Sequence, residues 1–410
     1  MNSEFKLTKI SCYVAIMFQA VSCNIIALLF IPFMSLYGFS YVDLGMLVAV
    51  NFGVQIAVDI IFSPFIDKIG YKKLVLLSVV FGFVGFMILF SVPYVFNNKL
   101  VGIIIATVVF STANGLLEVL VSPIADAIPS DDKGASMSFM HSFYAWGQVI
   151  FITVTTVLLY FLKIDNWQLI VLFWSVIPVV NFIMFTKAKF PKNTDKTERR
   201  SIKSVLFKPF FIVALLAIFF GASGEVVINQ WSSSFMEKAL MLPKITGDLL
   251  GMCGFAVALG AGRLLYGLYG KKFDLNKTLI LGSIITTLCY LIIAISPYNF
   301  INVLFCAVCG FSASLLWPGT LVVTSNKFAM SGAWLFAILA AAGDIGGSVG
   351  PYITGFIIDN VKTANITAFI SNIYNITSEQ AAIRIGILIA AIFPLLAVVC
   401  HLYLKKHRNK

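Results

Sequence analysis

The chain has 410 residues, of which 60% are apolar and 11% charged, and it carries a formal net charge of +11. Soluble domains average roughly 45–50% apolar and about 25% charged residues, so a water-soluble enzyme or binding module is excluded and an integral membrane protein is implied. The basic excess fits the positive-inside rule, and no aromatic-basic module for binding nucleic acid accompanies it.

A bilayer core takes about 20 apolar residues per helix. That rule predicts about twelve spans, near 10–34, 41–66, 73–95, 100–125, 137–161, 166–186, 208–236, 246–270, 277–296, 300–325, 332–358 and 381–404. The polar start, Met1 to Lys9, is short, and the run after it is too long for a signal peptide, so it reads as the first span. Lys6, Lys9, Lys68, Lys72, Lys73, Lys133, the run from Lys187 to Lys208 and the tail from Lys405 fall on one side. The other side keeps only scattered basic residues, among them Lys99, Lys163 and Arg384. This imbalance predicts cytoplasmic termini in a cell (inner) membrane.

One long polar stretch, Ala188 to Lys208, interrupts the apolar pattern at mid-chain. It divides an N-terminal six-helix bundle, 1–190, from a C-terminal one, 208–410, with 191–207 as a basic cytoplasmic linker. The halves echo each other: Phe33-Met34 is matched by Phe235-Met236, and Gly115 and Pro123 have the spacing of Gly310 and Pro318. Parallel six-helix halves with a site at their interface are a transporter plan.

The seven cysteines all lie in apolar runs, including Cys306 and Cys309, and read as small hydrophobes. No phosphate loop, nucleotide site, hydrolase triad or metal motif is present, so the reading is of a non-enzyme without cofactor, driven by an ion gradient or by the substrate itself.

The residues Ser63-Pro64-Phe65-Ile66-Asp67-Lys68-Ile69-Gly70-Tyr71-Lys72-Lys73 join the second and third spans. They resemble the major facilitator superfamily signature G-x-x-x-D-R-x-G-R-R/K. Asp67, Lys68, Gly70 and Lys72 keep the pattern; Ser63 replaces a glycine and Tyr71 a basic residue. The resemblance implies an all-α fold of twelve helices in two parallel repeats and a cytoplasmic gating motif. Asp67 would then sit at a helix N-terminus of the opposite half, where the dipole favours an anion.

A narrower likeness runs from Gly115 to Gln148. Its G-L-L-E-x-x-x-x-P and H-S-F-Y-x-x-G-Q resemble the fourth and fifth helices of the fucose–galactose–glucose/proton symporter family. This resemblance implies that Glu118 is the protonatable carboxylate. Ser122 stands where that family often has Asn, and His141 where it has Gln. The family's L-fucose symporter also has an acid in its first helix, where this chain offers Gln19, Ser22 and Asn24.

Five charged side chains lie deep in the spans: Asp59, Glu118, Glu225, Arg263 and Asp344. A charge at the bilayer centre costs about 2.5–3.5 kcal/mol on insertion scales, so such residues normally face an interior or a wet cavity. At about 1.5 Å per residue, Glu225 and Asp344 fall near the midplane and the other three roughly 8–10 Å nearer the cytoplasm. Burial disfavours a charged carboxyl, so Glu118 can take up a proton and release it to water. Asp344 and Asp59 are further coupling candidates; a structural ion pair with Arg263 is the alternative for Glu118 and Asp344, and a salt bridge or a cytoplasm-facing polar wall the alternative for Asp59.

Glu225, Asn229, Gln230 and Trp231 mix hydrogen-bonding groups with a flat apolar face, as a sugar requires. Gln19, Asn24, His141, Trp146, Gln148 and Trp317 complete the candidate contacts. Asn229 and Gln230 also read as interhelical glue, and Trp231 as part of an interfacial belt. These features predict a monomeric secondary transporter, in a lipid bilayer, of a small polar solute with a proton. Sodium is the alternative ion, and export of cationic or lipophilic compounds the alternative function.

Overall fold

The computed structural model describes residues 3–62, 69–128, 133–190, 203–328 and 333–407. Asp67, Lys68 and most of the mid-chain basic linker lie outside them. The described residues form helices joined by short turns. In the first half these are α1 (Lys6–Tyr37), α2 (Tyr41–Phe62), α3 (Tyr71–Val95), α4 (Lys99–Ala127), α5 (Lys133–Leu162) and α6 (Ile164–Lys187). The second half has α7 (Pro209–Lys238), α8 (Lys244–Tyr269), α9 (Leu275–Ile295), α10 (Asn299–Lys327), α11 (Ala333–Val361), a short α12 (Asn365–Tyr374) and α13 (Ser378–Lys406). Among the described residues, eleven helices are long and apolar enough to cross a membrane, and α11 adds a further helix of 29 residues. Helices are the expected form, because in oil the backbone must satisfy its own hydrogen bonds.

Helix ends follow local chemistry. The Asn98 side chain accepts from Val101 N at the start of α4, and Asp274 accepts from Asn276 N and Lys277 N at α9. Thr377 and Gln380 form a reciprocal capping box at α13. Gly38, with φ +69°, closes α1 in the left-handed conformation that glycine adopts without strain.

Four spans break at Leu29, Ser175, Ser314–Leu315 and Ala391. Each break lies about three residues before a proline: Pro32, Pro178, Pro318 and Pro394. A proline has no N–H for the carbonyl four residues back, and its ring crowds that carbonyl, so the helix bends there.

The chain packs as two compact units: residues 1–39 with 50–196, and residues 40–49 with 197–410. In the first, α3 and α4 approach closely because Gly85 leaves room for Phe110; a Cβ there would lie 2.5 Å from Phe110 N. A buried polar seam crosses α1, α2, α4 and α5. Ser22 donates to Asn114, Gln55 Nε2 and Ser111 Oγ both donate to Asn51 Oδ1 at 2.9 Å, and Gln148 Nε2 donates to Asn24 Oδ1 at 3.1 Å.

In the second unit α7 packs on α11 through Gly346, whose added Cβ would meet Phe219 O at 2.2 Å. The related glycines have related uses. Gly115 places α4 against Gln55 and Val58 of α2, and Gly310 places α10 against Phe255 of α8.

Candidate functional site

The close approach at Gly115 determines what lies next to it. Glu118 follows one helical turn later on α4, and Asp59 follows Val58 on α2. Carboxylate oxygens of Asp59 and Glu118 consequently lie within 4.8 Å of each other. Asp59 is 6% exposed, and among the described residues its Oδ1 has no hydrogen-bond partner. Glu118 is half-buried. Among the described residues, neither acid forms an ion pair.

One turn beyond Glu118, on the same face of α4, Ser122 Oγ meets His141 Nε2 of α5 at 3.2 Å. The two positions at which the chain departs from the fucose-type motif are thus bonded to each other. His141 is exposed, as is Trp146. Gln19 is half-buried on α1. Asn24 and Gln148 are buried in the polar seam, where they bond to each other.

The second unit has a different arrangement. Glu225 of α7 pairs through Oε1 with Arg263 Nη2 of α8 at 3.2 Å, while Oε2 is buried without a hydrogen-bond partner among the described residues. The Arg263 Nε donates to Ser314 O at 3.1 Å. Pro318 cannot serve that carbonyl, so the kink in α10 supplies the acceptor that holds Arg263. Gly262 permits the approach; a Cβ there would lie 2.4 Å from Ser314 Oγ. The acid that Arg263 pairs with is Glu225. A long guanidinium side chain bridges the difference in depth that helical rise alone assigns to the two residues.

Asn229 is half-buried one turn after Glu225, and Gln230 is buried beside it. Trp231 is also buried: its Nε1 donates to Pro351 O at 3.3 Å, and its ring packs 5.8 Å from that of Tyr41. Asp344 is buried in α11, next to Gly343. Trp317 fills the space that Gly343 leaves; a Cβ at Gly343 would lie 2.7 Å from the indole. At the start of α3, Gly70 has φ +88°, a glycine conformation. Lys72 Nζ donates to Thr186 O at 2.8 Å, at the negative end of α6.

Two features are not evident from the sequence. One is a polar clasp within the second unit. The Tyr41 hydroxyl donates to Glu379 Oε1 at 2.8 Å, and Val42 N donates to Asp359 Oδ2 at 2.7 Å. Lys362 holds the other Asp359 oxygen at 2.8 Å and lies 4.5 Å from the centre of the Tyr41 ring. The other is the bonding of Arg384, which the charge pattern gives only as a basic residue of the outer side. Arg384 is buried and donates to Ile293 O, Ala294 O and Ser296 O, closing the end of α9. The Thr377–Gln380 capping box was the available signal, because it starts the helix before Arg384.

A family model described as the Major Facilitator Superfamily matches residues 12–351. No curated protein sequence matches the chain. Among solved structures, a bacterial homologue of the human lysosomal transporter Spinster, inward-facing and unoccupied, superposes with a TM-score of 0.79 at 12% identity, covering 99% of this chain and 98% of that one. A D-xylose-proton symporter gives 0.78 at 13% identity, covering 96% and 97%. The Escherichia coli fucose:proton symporter gives 0.64 at 14% identity, covering 99% and 100%.

Proposed function

The chain belongs to the Major Facilitator Superfamily, a family of transporters, and from that premise we propose that it moves a small polar solute, a sugar first among candidates, together with a proton. The observation that carries this reading is the Asp59–Glu118 pair: two carboxylates within 4.8 Å, one with an unpartnered buried oxygen, and no basic partner among the described residues. Two such groups cannot both stay charged in an apolar bundle without a cation. A proton is the smallest cation that resolves the conflict. Two structures of the same fold are named as proton symporters, which agrees with the reading.

In this scheme the halves 1–190 and 208–410 alternate in exposing a central site, with 191–207 as the cytoplasmic linker and both termini in the cytoplasm. Glu118 carries the coupled proton and Asp59 assists it; Asp344 is a second candidate carrier. Solute hydroxyls bind through the free Glu225 Oε2, Asn229 and Gln230, with His141, Trp146, Trp231 and Trp317 as further contacts and Gln19, Asn24 and Gln148 supporting them. The monomer is the working unit.

Glu118→Gln, in proteoliposomes with an imposed pH gradient, tests the coupling. Uphill accumulation is expected to be lost while exchange of solute across the membrane continues. Full accumulation by the variant would remove Glu118 from the role. The bare pair also suits a cationic substrate, so export of cationic compounds is the second reading. Competition between that substrate and protons would favour it, as would a sodium requirement for sodium coupling.

A further inference from the structure

The short helix α12 has two unlike faces. Ile366, Phe369 and Ile373 form a stripe at helical spacing, with 51%, 61% and 60% of their surface exposed. The opposite arc carries Thr367, Ser371 and Asn372, with Ala368 among them. Thr367 is fully buried, and its hydroxyl donates to Val361 O at the end of α11. The Ser371 Oγ is buried as well. The polar arc therefore faces the protein on one side, and the rotation of the helix about its axis is fixed with the apolar stripe outward.

The connectors fix its height. Three residues, 362–364, separate α12 from α11, and three, 375–377, separate it from α13. Each connector reaches at most roughly 10 Å. Both neighbouring helices cross the bilayer in this fold, so α12 is held where they leave the hydrocarbon. An exposed apolar stripe on a short helix at that depth matches an interfacial amphipathic helix.

We propose that α12 lies in the membrane–water interface, with Ile366, Phe369 and Ile373 seated among lipid chains. The seat has a mechanical consequence. The helix is strung between Asp359 and Lys362 on one side and Glu379 on the other, the residues of the clasp on Tyr41 and Val42. Lipid contact at α12 thus bears on the tether between the two ends of that clasp.

The test uses single nitroxide labels on cysteines introduced into the full chain in phosphatidylcholine vesicles. All seven native cysteines are buried, so an exposed new thiol is labelled selectively. At Phe369→Cys and Ile373→Cys, collisions with dissolved oxygen should exceed those with a water-soluble nickel chelate. At Ala368→Cys, exposed on the polar side, the order should reverse. Nickel dominance at both 369 and 373 would overturn the proposal, because the stripe would then face water. Shielding of both labels from both reagents would also overturn it, because protein would then cover the stripe. The two stripe positions are mostly exposed, so either variant alone keeps the test open if the other folds poorly.

Discussion

The two units keep their buried acids in opposite ways. In the first, Asp59 and Glu118 face each other within 4.8 Å without an ion-pair partner among the described residues. In the second, Glu225 is bound to Arg263, and Arg263 is bound in turn to the carbonyl that Pro318 leaves free. Among the described residues the first arrangement has no cation of its own; the second contains one. One acidic site thus has its charge compensated by the protein and the other does not, and Oε2 of Glu225 has no hydrogen-bond partner among the described residues.

The largest effect on stability is expected from breaking the fixed pair. Arg263→Met leaves the Glu225 carboxylate and Ser314 O without their cation. Removing one partner of a fully buried pair costs about 3–5 kcal/mol. Arg263 is 33% exposed and Glu225 12%, so about 2–3 kcal/mol is expected here. The double variant Arg263→Met with Glu225→Gln should recover most of that loss in a thermal melt. Equal destabilisation of the single and double variants would mean that the pair's charge is immaterial and its packing decides.

Next come the related glycines, which test whether the two units are built alike. Gly310→Ala places a Cβ 2.4 Å from Phe255 O, and Gly115→Ala places one 2.8 Å from Val58 Cβ and 3.0 Å from Gln55 O. Overpacking of this kind costs about 1–3 kcal/mol. Gly310→Ala should be the more severe, because its obstacle is backbone. Gly115→Ala should also weaken proton-driven accumulation, because it moves α4 away from α2 and separates Glu118 from Asp59. Stability loss without any change in coupling would detach the glycine from the carboxylate pair.

How much of this was legible depends on the range of the signal. Apolar run length gave the spanning helices, because it is a local property, whereas the short α12 lies outside every predicted span. The cost of charge in oil marked Asp59, Glu118, Glu225, Arg263 and Asp344 before any contact was known. Which acid meets Arg263 was not legible, since the pairing depends on how α7, α8 and α10 pack and on an orphan carbonyl created by a kink. Asn51, Gln55 and Asn114 were passed over for a related reason. A neutral amide in an apolar run has no sign of charge to single it out, and only the structure shows the seam these residues share. Asn24 and Gln148, expected at the solute, were visible as polar residues, but their bond to each other was not.

The smallest effect is expected at Asp59, and its sign is what matters. Two carboxylates this close repel whenever both are ionised, and an amide of the same shape removes that repulsion. Asp59→Asn should therefore melt no lower than the unaltered protein, and higher by up to about 1 kcal/mol. Glu225→Gln provides the contrast, because it takes the partner from Arg263 and should melt lower in every buffer. If Asp59→Asn instead destabilises the protein as much as Glu225→Gln does, Asp59 is already neutralised by a tightly held cation, and the first unit, like the second, would keep its charge fixed.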